Sequence, residues 1–210
     1  MRVFEVGGHI RDELLGLPSN DIDLVAVASS FDELKKYVSK NSQKIFLEKP
    51  EFNLIRYLAL DGSPQDITFC HSLEGDLKRR DFSINAFARE VGSSEVIDVV
   101  NGLKDLKERK IRCIVSPKET FQEDPARIIR AIRLKIKLKF DYDRELSYYM
   151  YGDHDFSELK NIDRERLRQE LDKCFKTSSE KTIGEISRMN LAFSKIIFDQ
   201  YWLRVEVRKN

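Results

Sequence analysis

A glycine pair, an arginine and two closely spaced acidic residues form the first pattern in this chain that could do chemistry. Gly7 and Gly8 end a short apolar stretch, and Arg11 follows them. Asp21 and Asp23 stand one residue apart shortly afterwards. Backbone N–H groups at glycine can approach phosphate oxygens because no Cβ blocks them, and arginine adds a forked, permanently charged donor. On a strand, residues i and i+2 leave the same face, so the two carboxylates could hold one or two divalent ions. The pattern predicts a metal-dependent nucleotidyl-transfer site.

A third carboxylate, Asp66, lies in the strand-like stretch 65–69. We expect this strand to lie beside the strand that carries Asp23. Asp66 could complete the metal site, or act as the base toward an attacking 3′-hydroxyl. The alternative is an edge-strand acid that faces solvent.

A second cluster, at residues 79–88, places two arginines before an acidic and an amide side chain. We predict a helix over 81–90, on which Asp81 and Asn85 lie one turn apart on the same face. Arg80 would then meet phosphate or ribose, and the other two side chains could bond sugar hydroxyls. The alternative makes Asp81 a partner of the helix dipole and the arginines solvated charge.

A third cluster begins at Glu123 and Asp124, just before a helical pattern. Pro125 suits the first turn of a helix, and Glu123 to Arg127 is a favourable i,i+4 pair. A carboxylate beside an arginine also offers an acceptor and a donor to a base edge, a combination that selects C and A over G and U. The alternative is a well-capped amphipathic helix with solvated charge.

The elements that must position these clusters alternate in the first half of the chain. Strand-like stretches occupy 3–6, 22–27, 52–60, 65–69 and 95–99, and helical patterns occupy 10–15 and 31–40. Ser30 and Glu33 predict a capping box at the start of the second helix. Alternation of this kind predicts an α+β domain with a small mixed sheet.

The pattern becomes wholly helical after about residue 116. An apolar stripe at helical spacing runs through Ile129, Ile132, Ile136 and Phe140. Further amphipathic segments cover 145–150, 164–175 and 183–198. We therefore predict two domains, an α/β head over 1–115 and a helical domain over 116–210.

Composition excludes several classes of protein. The 210 residues carry a net charge of +1, so any nucleic-acid contact must come from local basic clusters. No apolar run approaches the length of a membrane span and no signal peptide is visible, which predicts a cytoplasmic protein without a membrane partner. Cys70, Cys113 and Cys174 are odd in number and scattered, which predicts free thiols rather than disulfides or a zinc site. The three histidines share no metal-ligand spacing.

Taken in order, the three clusters resemble the class II tRNA nucleotidyltransferase (CCA-adding) and bacterial poly(A) polymerase family. Residues 7–16 with Asp21 and Asp23 are similar to its metal motif, 79–88 to its R-R-D-F-T-I-N-A motif, and 123–130 to its E-D-P-x-R-I-x-R nucleotide-template motif. Residues 161–175 are similar to a helix that closes the neck domain of the family. The match covers most of residues 1–175.

The resemblance implies a polymerase-beta-like nucleotidyltransferase head followed by a helical neck that selects the base, with a truncated body and no tail. It implies a two-metal Mg²⁺ site on Asp21 and Asp23, and CTP and ATP as substrates. Asp66, argued above from its own strand, is expected as a third catalytic carboxylate. The implied partner is RNA, above all the 3′ end of tRNA. Residues with an implied role in nucleotide binding are Gly7, Gly8, Arg11, Arg80, Asp81, Asn85, Glu123, Asp124, Arg127 and Arg130. In this interpretation Asp124 and Arg127 pair with the base, and Glu123 orients Arg127.

Three departures from the family pattern qualify this expectation. Cys70 and His71 stand where relatives commonly carry an arginine, the link from there to Arg79 is short, and the chain ends before the helices that grip the tRNA elbow. RNA could instead be held by the basic side of the neck, by the cluster Arg204, Arg208 and Lys209, or by a partner chain or second copy.

Three alternatives to CCA addition remain open at this point. A poly(A) polymerase would add AMP to RNA 3′ ends, and residues 16–18 and 115–117 favour the CCA-adding pattern only weakly. A non-catalytic RNA- or nucleotide-binding module is the second, and transfer of a nucleotide to a non-RNA acceptor is the third.

Overall fold

The computed structural model describes residues 1–19, 22–153 and 155–200. Asp21, His154 and the basic cluster Arg204, Arg208 and Lys209 lie outside the described residues. The chain divides into two compact units, Met1–Lys107 and Glu108–Asn210. The domain assignment of 1–115 and 116–210 stays a prediction.

A mixed sheet organises the first unit. Its strands are β1 (Arg2–Val6), β2 (Asp23–Val27), β3 (Ser42–Lys49), β4 (Leu54–Ala59), β5 (Pro64–Cys70), β6 (Phe87–Glu90) and β7 (Ile97–Asp98). Its helices are α1 (Gly8–Leu14), α2 (Phe31–Asn41), α3 (Leu73–Lys78) and α4 (Gly102–Glu108), with 3₁₀ turns at Pro50–Phe52 and Ser83–Asn85. The strand order is β3-β4-β5-β2-β1-β6-β7, in which β2 and β5 are parallel and the other neighbours antiparallel. The predicted α+β class and mixed sheet are confirmed.

Helix α2 covers one face of this sheet. Side chains alternate between faces along a strand, so Leu24 and Ala26 of β2 point toward α2, where Leu34 and Val38 are fully buried. The buried cluster between them consists of Leu24, Ala26, Leu34, Val38, Ile55, Tyr57, Ile67 and Phe69. Residues of the opposite parity on the same strands, Asp23 among them, lie on the other face.

The start of α2 differs in one detail from the predicted capping box. Ser30 caps the helix, and its Oγ accepts a hydrogen bond from the Glu33 backbone N–H at 3.2 Å. The Glu33 carboxylate accepts from the backbone N–H of Ser29 at 2.8 Å, not from that of Ser30. The reciprocal bond is therefore displaced by one residue toward the N-terminus.

The helix predicted over 81–90 is wrong. Ser83–Asn85 form a single 3₁₀ turn, and Phe87–Glu90 continue as β6, which pairs with β1 through Val6 and Ala88. A helical pattern of apolar residues is overridden here because the sheet offers β6 a hydrogen-bonded edge and a fully buried position for Phe87. Strand β3 was not predicted, since its mostly polar residues show no alternation and its place at the edge of the sheet depends on pairing with β4.

The second unit is built of helices. They are α5 (Pro117–Glu123), α6 (Ala126–Leu138), α7 (Arg144–Tyr151), α8 (Arg164–Thr177), α9 (Ser179–Arg188) and α10 (Leu191–Lys195), with a 3₁₀ turn at Ser157–Asn161 and a π-helical turn at Ile196–Gln200. The predicted stripe through Ile129, Ile132 and Ile136 is buried. One short parallel pairing, between β8 (Lys110–Ile111) and β9 (Asp141–Tyr142), accompanies the helices.

The three cysteines are free thiols, as predicted. Cys113 and Cys174 are buried and Cys70 is half-buried, and burial raises the pKa of Cys174 to about 12. In the described part of the chain, no helix combines the length and the apolar character needed to cross a bilayer.

Replacing Gly102 with alanine should destabilise the first unit. A Cβ at Gly102 would collide with the Ser83 carbonyl oxygen and lie 2.9 Å from Cε1 of Phe87. Overpacking of this kind costs about 1–3 kcal/mol. Thermal unfolding of Gly102→Ala would show this cost as a lower midpoint.

Gly75→Ala in the same unit is the matched control. A Cβ there meets only Ser72, with its Cβ at 3.7 Å, an ordinary contact, within helix α3. Alanine should leave the midpoint unchanged or raise it, since glycine is a poor helix former. Equal destabilisation of the two variants would contradict the packing assigned to Gly102.

Candidate active site

The turn at Gly7 brings an acidic and a basic side chain together. Its φ of +98° lies in the region that favours glycine, and its backbone N–H donates to the Phe87 carbonyl oxygen at 3.0 Å. A Cβ built on Gly7 would lie 3.1 Å from Nη1 of Arg80 and 3.8 Å from Oδ2 of Asp23. Only glycine therefore lets the backbone turn closely between these two groups.

Asp23 begins a row of charged side chains that crosses the sheet. It pairs with Asp66 in the parallel register of β2 and β5, and Asp66 pairs with Arg56 in the antiparallel register of β5 and β4. Residues paired in this way share a face, so both carboxylates and the guanidinium lie on the face opposite α2. The prediction that the Asp66 strand lies beside the Asp23 strand is confirmed.

Asp66 is held in a bidentate ion pair. Its two oxygens each accept a hydrogen bond from Arg56, from Nε and Nη2, at 2.7 Å. The Arg56 side chain is 53% exposed and that of Asp66 is 33% exposed. Its predicted role as a base toward a 3′-hydroxyl would require the pair to open, and that role stays a prediction.

Arg11 is buried rather than open to solvent. Its guanidinium donates to Asp12 Oδ1 from Nε at 2.9 Å and from Nη2 at 2.7 Å, and Nη1 donates to the side-chain oxygen of Asn85. The guanidinium also folds back over Gly8, where a Cβ would lie 3.1 Å from it. Arg11 thus ties α1 to the 3₁₀ turn, and any contact with phosphate would compete with these bonds.

Asn85 and Asp81 meet although the predicted helix is absent. Nδ2 of Asn85 donates to Oδ1 of Asp81 at 2.9 Å, and the same oxygen accepts from the Phe82 backbone N–H at 2.8 Å. The result is a continuous hydrogen-bonded chain from Arg11 through Asn85 to a buried carboxylate. It fixes the donors and acceptors of the second cluster in place.

Asp76 is a positioning residue that the sequence analysis missed. Its side chain is fully buried and accepts from Arg79 at 2.5 Å, and from Nε and Nη2 of Arg80 at 3.1 and 2.9 Å. These bonds leave Nη1 of Arg80 beside Gly7. The signal was present as an acid near the end of α3, three and four residues before the two arginines that follow the helix.

Cys70 does not take over the function of a permanently charged side chain at this position. It is half-buried at the end of β5, and burial, with a smaller contribution from the charge of Asp76, raises the pKa of its thiol. The neighbouring ring of His71 packs edge-on against Phe69, with ring centroids 4.7 Å apart. Where relatives commonly carry an arginine, this chain therefore offers no fixed cation.

The second unit holds a separate cluster at the start of α6. Nη1 of Arg127 donates to Oε2 of Glu123 at 2.7 Å, the i,i+4 pair expected from the sequence. Asp124 is only 8% exposed, and its Oδ1 accepts from the Ala126 backbone N–H at 3.1 Å. Nε of Arg127 lies 3.8 Å from Oδ2 of the same carboxylate.

Arg166 of α8 completes this cluster and was also missed. Its Nη2 donates to Oδ2 of Asp124 at 2.5 Å, while 55% of its side chain remains exposed. Arg130 lies near Glu170 of α8, with 3.7 Å between Nη2 and Oε1, and its place beside the base stays a prediction. Sequence could not reveal either interaction because both depend on the packing of α6 against α8.

The carboxylate beside the Gly7 turn is the type of ligand that a magnesium ion prefers. Mg²⁺ prefers oxygen ligands and is usually held by one or two carboxylates together with substrate phosphates. Asp23 supplies an exposed carboxylate beside the gap that a Cβ at Gly7 would fill. The described residues contain no group of three acidic, histidine or cysteine side chains able to hold a metal ion, and Asp21 lies outside them.

Comparison with known proteins supports the family resemblance. The family model for the poly A polymerase head domain matches residues 56–112. A CCA-adding enzyme of Streptococcus thermophilus is 36% identical over 182 residues, which is 80% of this chain and 44% of that relative. This chain therefore spans less than half the length of the curated relatives it matches.

Solved structures of CCA-adding enzymes also match the fold of this chain. The CCA-adding enzyme of Thermotoga maritima in complex with tRNA matches 93% of this chain and 47% of its own, with a TM-score of 0.80 and 30% identity. Two complexes of a CCA-adding enzyme, one with ATP and one with CTP, match with TM-scores of 0.79, at 29% and 30% identity, over 93% of this chain and 47% of theirs.

The fold is similar to that of a nucleotidyltransferase head followed by a helical neck. The resemblance of this chain to the family of CCA-adding tRNA nucleotidyltransferases and bacterial poly(A) polymerases is thereby confirmed over the head and neck regions.

We expect Asp76→Asn to weaken binding of ATP and CTP, the nucleotides held in the solved complexes of similar enzymes, without unfolding the protein. The amide keeps the shape of the carboxylate but lacks the charge that holds Arg79 and Arg80. We expect the affinity for ATP or CTP to fall about tenfold, which corresponds to one hydrogen bond to a charged group. Isothermal titration of each nucleotide measures this.

Glu74→Gln on the same helix is the control. Glu74 pairs with the exposed Lys78, and its replacement should leave nucleotide affinity unchanged. If Asp76→Asn binds nucleotide as well as Glu74→Gln does, Asp76 does not position Arg80 for the ligand.

Proposed function

We propose that this chain is a Mg²⁺-dependent RNA nucleotidyltransferase that adds C, A or both from CTP and ATP to tRNA 3′ ends and releases pyrophosphate. The observation that carries the proposal is the meeting of Asp23 and Arg80 around Gly7, with Asp66 in register on the next strand. An anion-binding group and a metal-binding group at one glycine turn suit a triphosphate. The solved complexes of similar enzymes with tRNA, ATP and CTP support the same substrates.

In the head, acidic and basic residues have different roles. Mg²⁺ held by Asp21 and Asp23 would activate the RNA 3′-hydroxyl and neutralise the triphosphate. Arg80, fixed by Asp76, binds phosphate from the side of Gly7. Asp81 and Asn85, fixed by mutual hydrogen bonds, meet the ribose.

Base selection belongs to the cluster at the start of α6. Asp124 accepts from the exocyclic amino group of cytosine or adenine, and Arg127 donates to a ring acceptor. Glu123 holds the guanidinium of Arg127 at 2.7 Å. Uracil and guanine present a carbonyl oxygen at the position of the amino group, and a buried carboxylate rejects it.

The decisive experiment supplies pure protein with each labelled nucleoside triphosphate, Mg²⁺ and a tRNA that lacks its CCA end. Stepwise addition of C, C and A is expected. Long A-tails would instead favour a poly(A) polymerase, to which the matched head-domain model also points. Label on another acceptor would favour a non-RNA substrate.

Asp21→Ala and Asp23→Asn should each abolish incorporation while the circular dichroism spectrum and the thermal midpoint stay close to those of the wild type. Both substitutions remove a negative charge at which the metal ion would bind. Glu13→Gln is the control, because this exposed residue of α1 pairs with Arg89 away from Gly7. Incorporation retained by Asp23→Asn would contradict the assignment.

Arg166→Met should relax selection of the base. Its guanidinium fixes one oxygen of Asp124, so without it the carboxylate can rotate and its preference for an amino group should weaken. We expect the ratio of CTP to UTP incorporation to fall by about tenfold or more, since a hydrogen bond to a charged group is worth about 1.5–3 kcal/mol.

The matched control is Arg168→Met, which removes the same charge from an exposed position two residues further along α8. Its CTP to UTP ratio should equal that of the wild type. Equal ratios in all three proteins would mean that Arg166 has no part in selection.

A further inference from the structure

One face of the head sheet stays exposed beyond the row of charged side chains that begins at Asp23. Arg56 of β4 pairs with Leu47 of β3, so the row that begins at Asp23 and Asp66 continues to the edge strand. Arg56 is 53% exposed at its side chain, and Leu47 is 37% exposed. Helix α2 covers only the opposite face, where Ile55 and Tyr57 are buried.

Two lysines of β3 lie on this same open face. Lys44 pairs with Leu58 and Lys49 with Leu54, and these partners have the same parity as Arg56. A bulge between Ile45 and Leu47 keeps both lysines on this face. Among the described residues neither lysine has an acidic partner in an ion pair, so both charges remain available.

Two aromatic rings stand exposed beside these lysines. Phe46 is 50% exposed and Phe52 is 66% exposed. Nζ of Lys44 lies 5.5 Å from the ring centroid of Phe46, and Nζ of Lys49 lies 5.6 Å from that of Phe52. Exposed rings next to cations are the arrangement that holds single-stranded nucleic acid, because bases stack on the rings and phosphates meet the cations.

In the proposed reaction, the RNA acceptor approaches from the β5 side of Asp23. Gly7 and Arg80, which suit the triphosphate, lie on the β1 side of Asp23, whereas Asp66 and Arg56 lie on the β5 side. In an in-line transfer the attacking oxygen and the leaving group stand on opposite sides of the phosphorus. The 3′-hydroxyl must therefore approach over β5, and the nucleotides before it over β4 and β3.

We propose that the open face of β3, β4 and β5, with Lys44, Lys49, Phe46 and Phe52 at its edge, binds the single-stranded 3′ end of the acceptor RNA. The edge strand lies three strand spacings, roughly 14 Å, from the Asp23 strand. Nucleotides upstream of the 3′-hydroxyl occupy this distance. The inference rests on the proposed function, since it assigns a path to the acceptor of that reaction.

A second copy of this chain fits the surface less well. A twofold self-interface would set the Lys44 and Lys49 charges of one copy against those of the other. The two acidic residues on β3, β4 and β5 cannot balance them, because Arg56 already neutralises Asp66, and Glu48 accepts a hydrogen bond from Lys35 at 2.7 Å. A polyanion balances the lysine charges at once.

The test measures binding of a short 5′-fluorescein-labelled RNA that ends in a 3′-deoxynucleotide, by fluorescence anisotropy without nucleotide. The double variant Lys44→Gln, Lys49→Gln should bind this RNA less tightly. The slope of log affinity against log salt should fall by about 1.4, or about 0.7 for each phosphate that a lysine no longer neutralises. The double variant Phe46→Ser, Phe52→Ser should bind the RNA about fivefold or more weakly with little change in the salt slope.

The matched control is Lys36→Gln, Lys40→Gln, which removes the same charge from exposed positions on α2 at the covered face. It should bind RNA as the wild type does, and titrations of ATP and CTP should be equal in all four proteins. Crosslinking of an RNA with 4-thiouridine near its 3′ end should label the peptide that contains residues 44–52.

The outcomes separate this inference from the proposed function. If β3 variants bind RNA like the α2 control while the wild type incorporates nucleotide, the RNA path is wrong and the function stands. The wild type could incorporate no nucleotide while RNA binding is weakened only in the β3 variants. That result would support the RNA-binding surface and contradict the proposed function. A dimer that the β3 variants dissociate, with no RNA bound by the wild type, overturns the assignment of RNA to this face.

Discussion

The pairing register of β2 with β1 and β5 is the constraint that fixes both the core and the carboxylates Asp23 and Asp66 of the head. Pairing with β1 sets Val6 opposite Asp23, and the next residue after Val6 is the glycine of the turn. Pairing with β5 sets Asp66 on the other side of Asp23. A slip of one residue in either pairing would send Asp23 toward α2 and bury a carboxylate among apolar side chains. The same register that builds the core therefore places Asp23 and Asp66 on the face opposite α2.

Buried carboxylates do the positioning in both units. Asp76 accepts from Arg79 and holds Arg80 beside the Gly7 turn, and Asp124 is held by a backbone N–H and by Arg166. A buried charge without partners is costly, so each carboxylate keeps its donors in a narrow range of geometry. Arginine is suited to this arrangement because its planar fork can serve one acid and still present a free edge to a ligand.

Over residues 81–88 the sequence pattern indicated which residues lie close together but gave the wrong secondary structure. Asn85 and Asp81 do meet, yet they do so across a 3₁₀ turn and not along a helix. Phe82 and Phe87 are both fully buried, and Phe87 belongs to a strand. Burial is recognisable from residue type, whereas the choice between helix and strand depended on the free edge of β1, which lies over 80 residues away in sequence.

The sequence by itself determined the chemistry available to this protein: a glycine turn, closely spaced carboxylates, paired arginines and a capped neck helix, all of which act through local spacing. Only the tertiary structure decided which of these groups are held in ion pairs and hydrogen bonds and which are exposed. Asp66 is tied to Arg56, Arg11 is buried against Asp12, and Arg166 reaches Asp124 from another helix. The pairs that join different strands or helices carry no signal in their spacing along the chain. They form because neighbouring strands share a face and packed helices bring distant charges within hydrogen-bond reach.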